Sequence, residues 1–214
     1  AYYHISELGD PVESEKIIIK SKANLQALIK GSPDAIFSEL LENIKIQIVN
    51  EEFIDFLGRV YRFKEAIYKY IFLSTSESDR KFSFTSDHVL KKNILKTLKK
   101  KYKLYSSSTV YGISRYIHKY LDQDKYKKAD KILTTGKMIE LIELRHNSII
   151  GHGFVGVSID DIYKIYGNPY NVLDDFEECL EVLDIHIFKY KYAGLNELLY
   201  KLINELEEPS DDES

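Results

Sequence analysis

Apolar residues recur three and four positions apart in one segment of this chain after another, which is the spacing of helices that bury one face. Ile17, Ile18, Leu25, Leu28 and Ile29 predict a helix over about 13–30, broken by Gly31. Ser32 then reads as an N-cap, with Pro33 at the first helical position. Ile36, Phe37, Leu40, Leu41, Ile44 and Ile48 carry the next stripe to Asn50. Asn50 is expected to cap a further helix, with Glu51 and Glu52 in its first turn and Phe53, Phe56, Leu57, Val60, Ile67 and Ile71 on its inner face. Gly58 is a small interruption in that stripe.

The period stops at STSESDRKFSFTS, residues 74–86, which reads as the main loop. Helix resumes with Val89, Leu90, Ile94, Leu95 and Leu98 and ends near Tyr102; SSST at 106–109 then punctuates the chain. Val110, Ile113, Ile117 and Leu121 predict another helix, and DQDKYKK at 122–128 reads as a polar linker. A short helix over 129–133 and one through Met138, Ile139, Leu141, Ile142 and Leu144 follow. Ser158 with Asp161 predicts a capping box for a helix up to Tyr166, and two more helices are expected at about 171–188 and 193–207. Asp160, Asp161, Asp174 and Asp175 fall in first turns, where the helix dipole favours acids. With no repeat, no sustained heptad and no run of alternating strands, the expected fold is all-α, a multi-helix bundle. Beyond Gly153, FVGVS is expected to form one short irregular or extended crossing.

Charge and cysteine change the picture little. The formal charge is −4, but residues 205–214 hold six acids and no base, so the rest of the chain stands at +2. The end, 208–214, is expected to be a disordered acidic tail. Cys179 is the single cysteine and lies in an apolar period, so it is read as a buried thiol in a protein of a reducing, cytoplasmic setting. No stretch has the length and apolarity of a membrane span or a signal peptide, and no membrane partner is expected. A first residue that is Ala rather than Met reads as the start of an excised fragment.

One stretch asks for a function. LRHNSIIGHG, residues 144–153, places Arg145, His146 and His152 at a helix end, in a chain with only five arginines and six histidines. Seven residues of helix turn through about 700°, so Arg145 and His152 start on nearly the same face, roughly 10 Å apart along the axis. Asn147 and Ser148 add polar groups. Gly151 and Gly153 make regular helix doubtful there and would let a bulky ligand approach the backbone.

Arginine offers fixed charge and a fork of donors matched to phosphate oxygens, and histidine moves protons near neutral pH. With no partnering carboxylate pair, cysteine or serine triad, they suit phosphodiester cleavage in which the substrate brings the nucleophile, as RNA does with its 2′-hydroxyl. Acid and base roles are two while each chain has one such pair, so a homodimer pooling two copies across a two-fold axis is expected. A plain alternative stands beside this: Arg145 caps the helix and pairs with Glu140 or Glu143, and His152 bonds local carbonyls.

Arg145, His146 and Asn147 followed by His152-Gly153 resemble the signature of the HEPN superfamily, an arginine, a polar residue and then a histidine at a helix end in a helical bundle. Arg145 and His152 match the invariant pair; His146, or alternatively Asn147, matches the polar residue. The arrangement of helices looks like the C-terminal ribonuclease domain of the CRISPR-associated type III accessory ribonucleases. That resemblance implies a homodimer that cuts single-stranded RNA without metal or cofactor in antiviral defence, with Arg145, His152, His146 and Asn147 catalytic. It also implies an upstream CARF domain sensing cyclic oligoadenylate, which these residues do not include. Residues 1–33 are then an N-terminal helix or linker from that sensor and 34–207 the HEPN-like domain. A HEPN toxin or abortive-infection nuclease, or a non-catalytic helical module for RNA binding or dimerisation, are the other readings.

Seven lysines stand between 91 and 103 with no acid among them. Lys99, Lys100, Lys101 and Lys103, with Arg115 and His118 on the following helix, are candidate phosphate-backbone contacts, and Tyr102, Tyr105, Tyr111, Tyr116 and Tyr120 candidate stacking platforms. The alternative is a solvated helix face with half-buried tyrosines. His4, His88 and His186 are scattered, and no HExxH or CxxC spacing points to a metal.

Overall fold

The structure, a computed structural model, describes residues 11–76, 87–188 and 192–207. Among them the chain forms ten helices. In order they are α1 (Pro11–Ile29), α2 (Pro33–Val49), α3 (Phe53–Thr75), α4 (Asp87–Tyr102) and α5 (Thr109–Tyr120), then α6 (Asp124–Leu133), α7 (Gly136–Asn147), α8 (Ile159–Tyr166), α9 (Asn171–Val182) and α10 (Ala193–Glu207). The main-loop residues 77–86, the acidic tail 208–214 and His4 lie outside the described residues.

Helix α3 is the axis of the bundle, packing on α2, α5 and α7. Its apolar row Phe56, Val60, Phe63, Ile67 and Ile71 is completely buried, as the helical period requires. Phe63 stacks on Phe176 of α9 with centroids 4.2 Å apart and meets Phe37 of α2 edge-on at 5.5 Å. Those three rings join α2 and α9 across α3. Helix α6 packs on α9, and Cys179 is buried there, its thiol pushed up out of reach of ionisation by burial. Helix α1 lies on α2 and α10.

Several helix ends differ from the sequence pattern, each for a physical reason. Asn50 caps the C-terminus of α2 rather than starting α3, because Glu51 takes a left-handed conformation, φ 59°, and puts a turn between them. The segment expected as a linker at 122–128 supplies the start of α6, whose first turn carries Asp124 and whose Tyr126 is half-buried against the core. Helix α9 stops at Val182, not 188. Asp184 is left-handed at φ 60°, and the chain beyond is held to α2: the His186 N–H donates to Asp34 Oδ1 at 3.1 Å and the Phe188 N–H to Ser38 Oγ at 2.8 Å. Asp174 sits in the first turn of α9, but Asp175 does interhelical work, accepting from Tyr166 Oη at 2.5 Å and pairing with Lys137 Nζ at 2.8 Å. The capping box of Ser158 and Asp161 forms as its spacing predicts. After the motif the crossing is irregular, with a single parallel bridge between Ser148 and Val155.

Candidate active site at the end of helix α7

Met138 and Leu141 bury α7 against the core and leave, in its last turn, His146 exposed and Arg145 half-buried. The helix ends at Asn147, so His152 lies in the turn beyond rather than on the helix. That turn is tightly tied to the carbonyls that the helix end leaves unpaired. Ser148, fully buried, donates its Oγ to Arg145 O at 2.8 Å. The N–H groups of Gly151 and Gly153 donate to Ser148 O, and the His152 N–H donates to His146 O at 3.0 Å. This last bond anchors the second histidine beside the first.

The glycines therefore serve the fold rather than a ligand's approach. A Cβ on Gly151 would collide with the carbonyls of Arg145 and His146, and one on Gly153 with the carbonyl of Asn147. What comes close to their backbone is α7 itself. Gly58 has a related purpose, since a Cβ there would stand 2.6 Å from Ile150 Cδ1. The small interruption in the α3 stripe is the seat for the motif turn.

The Arg145 guanidinium lies over the Tyr61 ring of α3, 4.5 Å from its centroid, and Nη1 is 3.3 Å from His146 Nδ1. Arginine only donates, so this contact requires Nδ1 to accept, leaving the imidazole proton on Nε2. Desolvation, then the charges of Arg145 and His152, hold the His146 pKa below its ordinary value, with Glu143 opposing. His146 also meets Tyr61 edge-on at 6.1 Å. No ion pair joins Arg145 to Glu140 or Glu143 among the described residues, and Arg145 Nε is buried without a hydrogen-bond partner. Of the plain alternative, the pairing of Arg145 to its own helix does not form among the described residues, whereas His152 does bond a local carbonyl, that of His146, through its N–H. Asn147 is exposed, and its bonded atom is its carbonyl, which accepts from the Val155 N–H at 3.3 Å.

The structure thus brings Arg145, His146 and His152 together, with Tyr61 as a member that sequence reasoning missed. Tyr61 stands one position past Val60 of the buried row, so the only signal was a polar aromatic on the flank of a core helix.

The basic candidates form a second group. Lys99, Lys100 and Lys101 are exposed in the last turn of α4, where they also complement the helix dipole. Lys103 is left-handed at φ 54° and donates to Lys100 O at 3.1 Å, while the Leu104 N–H closes onto Leu98 O. Arg115 reaches Tyr105 O at 3.4 Å and lies over the Tyr111 ring. His118 is committed to the buried carboxylate of Asp130 at 2.9 Å, which gives it a structural task. Of the candidate stacking tyrosines, Tyr105, Tyr111 and, to a lesser degree, Tyr120 are exposed. Tyr116 is buried and Tyr102, Tyr116 and Tyr120 pack on one another, so Tyr116 belongs to the core and is no platform.

Among the described residues no group of three or more His, Cys, Asp or Glu is placed to hold a metal ion, and no helix is long and apolar enough to cross a membrane. Comparison of the chain with protein-family models, with curated proteins and with solved structures finds no match.

Proposed function

We propose that this chain is a metal-independent endoribonuclease of HEPN type, cleaving single-stranded RNA by attack of the substrate's own 2′-hydroxyl at a site shared by two copies. The observation that carries the reading is the Arg145 guanidinium, without a carboxylate partner among the described residues, held over Tyr61 and against His146 at the end of α7, where His152 is tied to His146 by its N–H. A guanidinium without a carboxylate partner is free to receive phosphate oxygens, and its fork stabilises the charge that builds on them.

In this account His152, exposed on the turn, transfers the proton, taking it from the 2′-hydroxyl or delivering it to the departing 5′-oxygen. Its counterpart in the second copy takes the complementary role. His146, with Nδ1 turned to Arg145, orients the guanidinium and presents Nε2–H as a further donor. The dimer reading is supported by the apolar side chains around the turn: Phe154 is 95 % exposed, and Ile149 and Val155 are also exposed, so they flank His152 with a surface suited to a second copy. The lysine-rich end of α4 supplies a basic track for the strand.

Service in type III CRISPR defence in the cytoplasm, under an upstream CARF domain that binds cyclic oligoadenylate, is the biological setting proposed. Incubation of single-stranded RNA with the protein in chelator tests the chemistry. Products ending in 2′,3′-cyclic phosphate are expected, with loss of cleavage when the 2′-hydroxyls are replaced by hydrogen. Products ending in 3′-hydroxyl, or unchanged cleavage of DNA, would refute it.

A further inference from the structure

A cavity of about 440 Å³ opens beside the motif, between α3 and the first turn of α5, with His146 in its wall. Lys64 reaches into it from α3 and is 7 % exposed. No described residue gives the Lys64 ammonium a hydrogen bond or an ion pair. Its neighbour Lys69, equally buried, is paired with Glu65 at 3.3 Å, so the contrast lies in Lys64 and not in the helix. The Asp130 carboxylate acts on Lys64 through space, but its oxygens are taken by Tyr68 Oη at 2.8 Å and His118 Nε2 at 2.9 Å.

A cation on so buried a side chain, with no hydrogen-bond or ion-pair partner among the described residues, is costly unless something else arrives to meet it. The rest of the lining is suited to supply an oxyanion's remaining contacts. Ser107 and Ser114 contribute hydroxyls, while those of Thr109 and Thr134 already donate to Glu65 Oε1 and to Asp130 O, and the positive end of α5, capped by Ser108, lies along the wall. Lys91 of α4 adds a second ammonium at the mouth, and the rings of Tyr61 and Tyr111, each with one face already under a guanidinium, of Arg145 and Arg115, also line it. A carboxylate would engage few of these donors, whereas a phosphate presents oxygens in several directions. The volume also falls in the range of about 300–1,000 Å³ that takes a small organic ligand.

We infer that this cavity is a phosphate-binding site for one nucleotide unit, with Lys64 as the buried cation that receives the phosphate and the tyrosines placed for its base. It does not require that the chain cleave RNA. Because His146 borders both places, the nucleotide can be one unit of an RNA strand lying across the motif, or a free 5′-mononucleotide.

Calorimetric titration of the protein with inorganic phosphate, adenosine 5′-monophosphate, adenosine and a 2′-O-methyl RNA tetramer tests this, using wild type and Lys64→Met. Phosphate and the monophosphate are expected to bind wild type, adenosine much more weakly, and Lys64→Met should lose roughly tenfold or more in affinity for each phosphate compound. Tighter binding of the tetramer than of the monophosphate assigns the site to a strand, and the reverse to a free nucleotide. The Lys64 side-chain NMR signal in wild type gives a readout that needs no variant: bound phosphate should raise its titration midpoint. Equal affinity of wild type and Lys64→Met, adenosine binding as tightly as its monophosphate, or an unmoved Lys64 signal would each overturn the inference. Binding that depends on Lys64 in a protein that cleaves no RNA would refute the nuclease reading and leave this site standing.

Discussion

The guanidinium of Arg145 rests 4.5 Å over the ring of Tyr61, so the charged end of α7 is aimed by a side chain of the central helix rather than by a carboxylate. A ring face holds a cation without neutralising it, which leaves the donors available. Tyr61→Phe keeps that face and should cleave RNA about as well as wild type. Tyr61→Leu removes it and should lower kcat/KM by about 5–30-fold, the range that 1–2 kcal/mol of a partly desolvated cation–π contact represents. Steady-state cleavage of a defined RNA by the two variants decides this, and equal rates for both would show that the ring does not position Arg145.

Gly151 and Gly153 should be intolerant of even one methyl group. Each Cβ would meet a backbone carbonyl of the α7 terminus, which cannot move without unwinding the last turn. Gly151→Ala and Gly153→Ala are expected to lose about 1–3 kcal/mol or more of stability. Gly156→Ala, with nothing within 4 Å of its Cβ, should lose little. Chemical denaturation of the three variants measures the difference.

Lys64 makes stability depend on pH in the alkaline range. Burial lowers its pKa to about 8 from 10.5, so between those values the unfolded chain binds the proton more tightly than the folded one. Stability contributed by this group therefore rises as pH increases from about 8 to 10.5, and the full cost of the buried ammonium is present below 8. Lys64→Met should be more stable than wild type by up to about 3 kcal/mol at neutral pH, and the gap should close by pH 10.5. Denaturation of both proteins across that range reads it, with a pH-independent gap as the contrary result.

Lys103 sits where glycine is favoured, with φ 54°. Lys103→Gly should raise stability by about 1 kcal/mol by removing the left-handed strain. If the lysine contacts the RNA backbone, the same change weakens RNA binding and reduces the slope of log affinity against log salt by about one. Unchanged RNA affinity would leave Lys103 only its role at the end of α4.

The helices were legible because their apolar rows repeat, and the pairing of Ser158 with Asp161 was legible because a capping box is local. The ends that misled were settled by distant partners: α9 stops at Val182 because the residues after it bond to Asp34 and Ser38, far away in sequence. The motif glycines stand out in the sequence but their purpose does not, since spacing cannot show that the backbone they admit is their own helix. Arg145 and His152 stand out by composition, whereas Tyr61 and Lys64 come from a helix some eighty residues earlier. A signal for Lys64 did exist. It stands four residues after Val60 and three before Ile67, a lysine inside the apolar row of α3.

The claim that two copies pool their groups around one scissile phosphate is tested most directly by mixing. Wild type is diluted with increasing His152→Ala at constant total protein, allowed to exchange subunits, and assayed for RNA cleavage. A shared site predicts that activity falls as about the square of the wild-type fraction, because each mixed pair lacks one of the two imidazoles. Activity strictly proportional to the wild-type fraction would mean that each copy works alone, and would contradict the account.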